Sequence, residues 1–577
     1  MKIDNQKNDD IMVQAGLLAV AGILSRVIGL LYKSPLNSVI TPLGLGYYTQ
    51  AYNYYTIVLL ISSYSIPSAI SKVIAQKLAV HEYKNAHRTF IGALIYVLIV
   101  GTIGSGVLFF CAKPLVGTEA APVLKVFAPT IMLYGILGVL RGYFQAHKSM
   151  LQTSCSQIIE QIVNAIVSVS AAYYIIKITM GTMAIPIDTQ GQVKRAVNGA
   201  MGSALGTGLG VLAGLIFMVW TYFINRKGIK DRIDTDTEHK VESYKDIFIR
   251  ITLVVTPFIL STAIYNLSAS LNQTIFLNKS LYPSWCGRAL ETLTAEFGVL
   301  SGQSLTVSNI PVAFASAMAS AMIPSVATYI AAQQLNEAKE KIALSVKTIM
   351  MISIPCAAGM FVVAKPIICI IFRDTRSELQ MAAYLLMALA PSIVFYALST
   401  LNSSILQGIG KVVTPIINAA IALLIQTVLL VVLLAFTDLG IYSIVVANTV
   451  YSGLMCLLNQ SSVRKAINYK QEHKRTFIIP AISSIIMGAV VWVVYKVIYL
   501  IVHYLYIRDL TPFAIMNCKY QAELLAMRVA VIPAIVVGII VYFALMVLLK
   551  GVTKEELLAM PKGNLIVKIA KKMKLLR

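Results

Sequence analysis

The chain has 577 residues, a formal net charge of +23 and a mean hydropathy of +0.76; 58% of its residues are hydrophobic and only 13% are charged. No soluble domain needs so much apolar sequence, so the composition indicates a membrane protein. It excludes a nucleic-acid-binding protein, because the chain has no basic soluble segment that could fold. The charge is expected in loops and tails, since a charge at the bilayer centre is costly.

Apolar runs long enough to cross the hydrocarbon follow a polar N-terminus, MKIDNQKNDD. The first run is long and has no cleavage site, so no cleaved signal peptide is expected. Runs of about 20 residues recur about fourteen times and predict an all-α polytopic membrane protein. They lie near residues 11–32, 51–71, 89–112, 123–144, 154–176, 199–223, 247–276, 299–323, 344–364, 381–401, 412–436, 440–459, 477–503 and 527–549.

An internal repeat divides these spans into two homologous groups of six, followed by two further helices. Ala128-Pro129 recurs as Ala390-Pro391, and Gln145 recurs as Gln407, all 262 residues later. Upstream, Ile-Pro-Ser at 66–68 recurs at 323–325. Two homologous halves in a membrane protein generally indicate a transporter whose site lies between them.

The repeat and the distribution of Lys and Arg predict the domains and the orientation. Most Lys and Arg residues fall in segments on the same side of the membrane as the N-terminus. Because positively charged loops are typically cytoplasmic, both termini are expected in the cytoplasm. The predicted segments are a cytoplasmic N-tail (1–10), an N-terminal six-helix lobe (11–223), a cytoplasmic linker (224–246), a C-terminal six-helix lobe (247–459), a second linker (460–476), helices 13 and 14 (477–549) and a basic cytoplasmic tail (550–577).

Three basic residues are candidates for binding an anionic group. Arg26 lies inside the first span, where an intramembrane arginine is a site hypothesis by default, and its guanidinium can bind phosphate in a bidentate way. A structural pair or an interfacial end is the alternative. Lys72, at the end of the second span, and Lys33 can bind phosphate or anchor their helices at the interface.

A polar stripe marks the fifth span. Gln157, Glu160, Gln161 and Asn164 are spaced by three and four residues, so they share one helical face that is expected to border a cavity. Glu160 could pair with Arg26, titrate with a coupled proton or contribute to a sodium site. A purely structural ion pair is the other interpretation.

Several small motifs complete the prediction. Pro67 and Pro324 occupy matching places in the halves and are predicted hinges or helix breaks. Glycines at 202, 206, 210 and 214 predict close helix packing. Tyrosines at 47, 48, 52, 54 and 55 are typical of an interfacial aromatic belt, although aromatic faces also suit sugars. Cys286 and Cys518 fall in predicted outer loops and could pair.

Three segments resemble a known family. They are SRVIGLLYK (25–33), SIPSAISKVIA (65–75) and LRGYFQAHKSM followed by SQIIEQIV (140–163). They resemble the polysaccharide-export branch of the MOP (MATE-like) superfamily, most closely the MurJ-type lipid II flippases and SpoVB. The resemblance implies a V-shaped pair of six-helix lobes around a cationic cavity, with a groove beside helices 13 and 14 for the lipid tail. Arg26 falls on a first-span arginine that this family uses in its cavity, whereas the eighth span lacks the arginine of some relatives.

The implied function is a flippase, not an enzyme, that moves lipid II to the outer leaflet of a bacterial cytoplasmic membrane, in a Gram-positive organism, by alternating access. No cofactor or metal is expected, and Na⁺, H⁺ or the membrane potential could supply energy. The expected partners are the lipid-linked oligosaccharide, membrane lipids and cell-wall synthesis proteins, with the protein itself a monomer.

Three other functions are alternatives to this one. A flippase for another polyprenyl-linked glycan uses the same fold. A MATE-type cation antiporter needs a deep acidic residue, and among the first six spans only Glu160 is available. A membrane glycosyltransferase needs an acid/base pair that the outer loops do not supply.

Overall fold

The computed structural model describes residues 21–552 except 23, 61–65, 148, 237–240, 283–286, 373–375 and 509–511. Every regular element within these residues is helical, which confirms the all-α class. The α-helices are α1 (Lys33–Leu59), α2 (Ile66–Ala79), α3 (Tyr83–Phe110), α4 (Ala112–Ala146), α5 (Met150–Met180), α6 (Thr189–Thr235), α7 (Tyr244–Phe276), α8 (Leu290–Val299), α9 (Leu305–Ala331), α10 (Leu335–Val362), α11 (Ala364–Ile371), α12 (Arg376–Gly408), α13 (Val413–Phe436), α14 (Tyr442–Ile467), α15 (Ile479–Arg508) and α16 (Pro512–Leu548).

Ten helices of the described part are long and apolar enough to cross a membrane. They correspond to ten of the predicted spans and confirm a polytopic membrane protein. The other four predicted spans, near 11–32, 51–71, 247–276 and 299–323, include residues whose backbone or side chains lie outside the description. The total of fourteen spans therefore stays a prediction. The domain boundaries and the pairing of Cys286 with Cys518 also stay predictions.

The first two spans meet at a tighter turn than hydropathy predicts. Residues 24–31 are helical, and α1 continues to Leu59 with a single break at Thr41, whose φ is 65° and ψ 165°. Pro42 then begins the next helical stretch, where its fixed φ is suited to a first turn. The helix therefore bends at one residue that lies in the left-handed region, an uncommon conformation for a β-branched side chain.

This turn corrects the prediction for the tyrosine cluster. The tyrosines lie inside the helix that follows Pro42, and Tyr47 and Tyr55 are buried. Tyr55 stacks on Phe127 of α4, with ring centroids 4.8 Å apart, and Tyr48 packs against the same ring. Most of the cluster thus belongs to the core of the first unit and not to an interfacial belt.

The chain divides into two compact units, residues 1–302 and 303–577. The first is built around α4, which packs against α1, α2, α3 and α6. Leu124, Phe127, Ala128 and Ile131 of α4 are fully buried. A helix that is apolar on all sides is expected at the centre of a bundle.

The second unit repeats this arrangement around α12, which packs against α9, α10 and α14. One close contact recurs in both units. A Cβ added at Gly142 of α4 would lie 2.7 Å from the carbonyl oxygen of Pro67, and one at Gly408 of α12 would lie 2.9 Å from that of Ile323. The repeated Ile-Pro-Ser segments therefore pack against the corresponding helix in each unit.

Candidate functional site

The centre of the candidate site is an ion pair between α4 and α5. Nη2 of Arg141 lies 2.8 Å from Oε2 of Glu160, and the two side chains are 6% and 14% exposed. Arg141 Nε donates a second hydrogen bond, of 2.9 Å, to Ser156 Oγ. Of the roles that the sequence left open for Glu160, the structure shows an ion pair, and its partner is Arg141.

A seam of glycines holds α5 in place. A Cβ at Gly206 of α6 would overlap Ser168, and one at Gly202 would overlap the backbone of Ala172. A Cβ at Gly210 would lie 2.6 Å from the carbonyl oxygen of Glu160. The prediction that this glycine face serves close packing is therefore confirmed. Because the two backbones touch, the rotation of α5 about its axis is fixed, and with it the direction of the polar stripe.

Part of the stripe faces the first span. A Cβ at Gly29 would lie 3.9 Å from Oε1 of Gln161. Tyr32 of the first span lies near Asn164, whose Oδ1 accepts a hydrogen bond of 2.8 Å from Ser168. The structure thus brings two stripe residues, Gln161 and Asn164, beside the first span, while Glu160 turns toward α4. Gln157 is partly exposed.

The three candidate cations lie on two different helical segments of the first unit. Arg26 is exposed and lies three residues before Gly29, so both share the helical face that meets α5. Lys33 is partly buried and lies one further turn along that face. Lys72 is exposed on α2, whose buried side carries Ile70 and Ile74. Arg26 and Lys33 are therefore placed near the stripe, and Lys72 stands on another helix.

The two candidate hinge prolines differ in their surroundings. Pro67 is in the first turn of α2, against Gly142. Pro324 lies within α9, whose backbone is helical from Leu305 to Ala331, and its side chain is outside the described residues. No helix break is therefore present at Pro324 in this structure, and a hinge there stays a prediction.

The sequence did not predict a second buried cation, Lys77, at the end of α2. Its side chain is 4% exposed, and Nζ lies 2.5 Å from Glu242 Oε1 and 3.5 Å from Glu82 Oε2. Glu242 belongs to the linker that precedes α7, and its backbone N–H donates to Asn85 Oδ1 at 3.0 Å. No sequence pattern links Lys77 to Glu242, because they are brought together only by tertiary packing.

The second unit carries a neutral network where the first has its ion pair. Ser403 and Asn418 follow Arg141 and Ser156 by 262 residues. Asn459 of α14 donates to Ser403 Oγ at 3.0 Å and accepts from Asn418 Nδ2 at 2.8 Å. Charges thus join α4 directly to α5 in the first unit, whereas in the second unit amides and hydroxyls link the corresponding helices, α12 and α13, through Asn459 of α14.

Comparisons with known proteins agree with this architecture. A family model described as "Lipid II flippase MurJ" matches residues 83–510. The chain is 24% identical over 506 residues to the lipid II flippase MurJ of Bacillus subtilis (strain 168), covering 85% of this chain and 89% of that protein. It is 23% identical over 486 residues to stage V sporulation protein B of the same organism, covering 82% and 88%.

Solved structures show the same fold. A lipid II flippase MurJ in an inward closed conformation aligns with a TM-score of 0.61 at 15% identity, covering 92% of this chain and 97% of that one. An inward-facing multidrug resistance MATE transporter of the MOP superfamily aligns with a TM-score of 0.56 at 15% identity, covering 80% and 98%. These structures share the fold of this chain, and the family model confirms the resemblance seen in the sequence.

Proposed function

The chain belongs to the lipid II flippase MurJ family, and we propose that it moves an undecaprenyl-pyrophosphate-linked precursor, lipid II, across the cytoplasmic membrane of a bacterium. Residue by residue, the proposal assigns the pyrophosphate to Arg26, with Lys33 and Lys72 as further cations. Gln157, Gln161 and Asn164 offer hydrogen bonds to the polar head. The process is transport by alternating access and forms or breaks no covalent bond.

The observation that carries this assignment is the position of Arg26. It shares a face of the first span with Gly29, which meets the polar stripe of α5 at Gln161. A lipid-linked pyrophosphate must pass about 30 Å of hydrocarbon, where an isolated charge is costly. A guanidinium beside amide groups replaces the lost hydration of the phosphates, because it offers several donors in a planar fork.

The ion pair supports an anionic substrate. Glu160 is the acidic residue of the stripe, and its charge is compensated by Arg141 at 2.8 Å. The basic residues Arg26 and Lys33 therefore face a stripe in which the charge of the carboxylate is already compensated by Arg141. A cation antiporter needs a carboxylate that binds the cation itself, so this geometry favours the flippase over the MATE-type alternative.

The chain is about equally similar to two curated relatives, so similarity alone does not single out lipid II as the substrate. The identity to stage V sporulation protein B, 23%, is nearly the same as that to MurJ, 24%. A flippase for another polyprenyl-linked glycan is therefore the second candidate. It uses the same cations, because the pyrophosphate is common to both substrates.

A depletion rescue tests the proposal. The host is a Gram-positive bacterium whose own MurJ-type flippase can be shut off, and lipid II exposed on the outer surface is measured directly. We expect the wild type to restore growth and exposed lipid II, and Arg26→Ala to abolish both at equal membrane abundance, with Lys72→Ala weaker. A well-inserted wild type that fails to restore exposed lipid II would favour the other glycan. Full rescue by Arg26→Ala would make this arginine structural.

A further inference from the structure

A cavity of about 350 Å³ lies within the second unit. It is enclosed by α11, the start of α12 and the N-terminal half of α16. Its polar wall is formed by Tyr520, Gln521 and Arg528, and its apolar wall by Phe372, Leu379 and Leu524. Phe372 and Leu379 are each 1% exposed, so the apolar wall is firmly packed. The volume is at the lower end of the range that holds small ligands, about 300–1,000 Å³.

Arg528 is held in position by one of its five donors. Nε donates to the carbonyl oxygen of Cys369 at 3.1 Å. Cys369 lies in the last turn of α11, where carbonyls have no partner within the helix, so this bond also caps the helix. The ion pairs found among the described residues do not include Arg528. The guanidinium is therefore oriented by Nε, and its charge is not compensated by a carboxylate of the described chain.

The position of Arg528 along α16 places it at the level of lipid head groups. The 21 residues that follow it, 529–549, contain no charged side chain and are about the length that crosses the hydrocarbon. Arg528 therefore stands at the boundary between the hydrocarbon and the polar region, and Tyr520 lies on its polar side. Tyrosine and arginine are typical of that boundary.

An exposed apolar ridge of α16 lies beside the face that lines the cavity. Leu525, Val529, Ile532 and Val536 recur at intervals of three and four residues on α16 and are between 41% and 57% exposed. This spacing puts them on one face of the helix. A phospholipid whose phosphate is bound at Arg528 would thus have a surface suited to its acyl chains beside it. A free phosphate ion would not use this surface.

We propose that this cavity binds the phosphate of an anionic phospholipid head group, with the acyl chains along the ridge of α16. Such a lipid would join α16 to α11 through Arg528, so it would act as a resident lipid of the C-terminal helix pair. The site does not depend on the flippase assignment, because it takes a membrane lipid and not the transported precursor.

Binding to the purified full-length protein in detergent tests the proposal. Apparent melting temperatures are measured during titration with phosphatidylglycerol, phosphatidylcholine or inorganic phosphate. We expect phosphatidylglycerol alone to raise the melting temperature at low concentration. Arg528→Ala should weaken its half-saturating concentration about tenfold, as the loss of a charge-assisted bond implies, and Arg528→Lys less.

Two further variants make the result specific. Lys496→Ala removes an exposed charge of α15 that does not line the cavity and should bind as the wild type does. Gln521→Trp places a bulky ring at the mouth of the cavity without changing charge, so it should weaken binding even if Arg528→Ala fails to fold. The proposal is overturned if phosphatidylcholine binds equally well, or if Arg528→Lys and Gln521→Trp keep wild-type affinity. A response to inorganic phosphate as strong as that to phosphatidylglycerol would assign the site to a soluble anion instead.

Discussion

Arg141 Nη2 of α4 lies 2.8 Å from Glu160 Oε2 of α5. The charged residues of the LRGYFQ and IEQ motifs therefore form an ion pair between these two helices. Both side chains are largely buried, and Arg141 is further fixed by Ser156. A buried ion pair of this kind fixes helix orientation more clearly than it adds stability, because desolvation offsets much of the attraction. An acidic residue inside a span is thus not evidence for a cation site until its partners are known.

Breaking this pair on one side should be costly. We expect Arg141→Ala to lower the stability of the protein by about 3 kcal/mol or more, because it leaves the Glu160 carboxylate buried without its partner. Glu160→Ala should have a similar effect. In the double variant the two losses should not add, with an interaction energy on the order of 1–3 kcal/mol. The measurement is thermal unfolding in detergent for all four proteins of the cycle, and additive losses would show that the pair is not coupled.

The general fold could be predicted from the sequence because hydropathy and the internal repeat are strong signals. The ten spans that the structure describes fall where apolar runs predict them. The glycine face of α6 was also predictable, since a spacing of four residues places Gly202, Gly206 and Gly210 on one side of a helix. Three short motifs indicate the family, and the match of the family model to residues 83–510 shows it.

The partners of the charged residues could not be predicted. Periodicity gives the face on which Glu160 lies, but not whether Arg26 or Arg141 is close enough to pair with it. Lys77 and Glu242 are far apart in sequence and meet only through the fold. The turn at Thr41 was missed for another reason. Hydropathy averages over many residues and cannot locate a bend that is made at a single residue.

Because of the glycine seam, two substitutions on α6 are expected to have opposite effects on the stability of the protein. Gly206→Ala should destabilise the protein, because the new Cβ would overlap Ser168 and force α5 and α6 apart. Gly228→Ala is the matched control: no atom lies within 4 Å of its Cβ, so the higher helix propensity of alanine should make it neutral or more stable by up to about 1 kcal/mol. Melting temperatures of both variants check this, and equal effects would contradict close packing at Gly206.

The ion pair between Lys77 and Glu242 is expected to hold the linker before α7 in place. Lys77→Met should release this segment, because Glu242 and Glu82 would lose their shared cation. We expect cleavage by a glutamate-specific protease at Glu242 to become several-fold faster, since local opening exposes the backbone. Lys72→Met, an exposed lysine on the same helix, serves as the control and should be cleaved at the wild-type rate. If Lys77→Met is also cleaved at that rate, the linker is held by other contacts.

The protein is expected to lose stability at acid pH because of His147, at the end of α4. Burial lowers the pKa of His147 below its ordinary value of 6.5; the hydrogen bond to the Tyr143 carbonyl opposes this shift, and the positive charge of Arg232 adds to it. The unfolded chain therefore takes up a proton at a higher pH than the folded one, so this residue's contribution is fully present above about 6.5 and is lost as the pH falls. We expect the melting temperature in detergent to fall between pH 7.5 and 5, and to fall less in His147→Gln, which keeps a donor but does not titrate. Identical pH profiles for the wild type and this variant would show that His147 is not the group responsible.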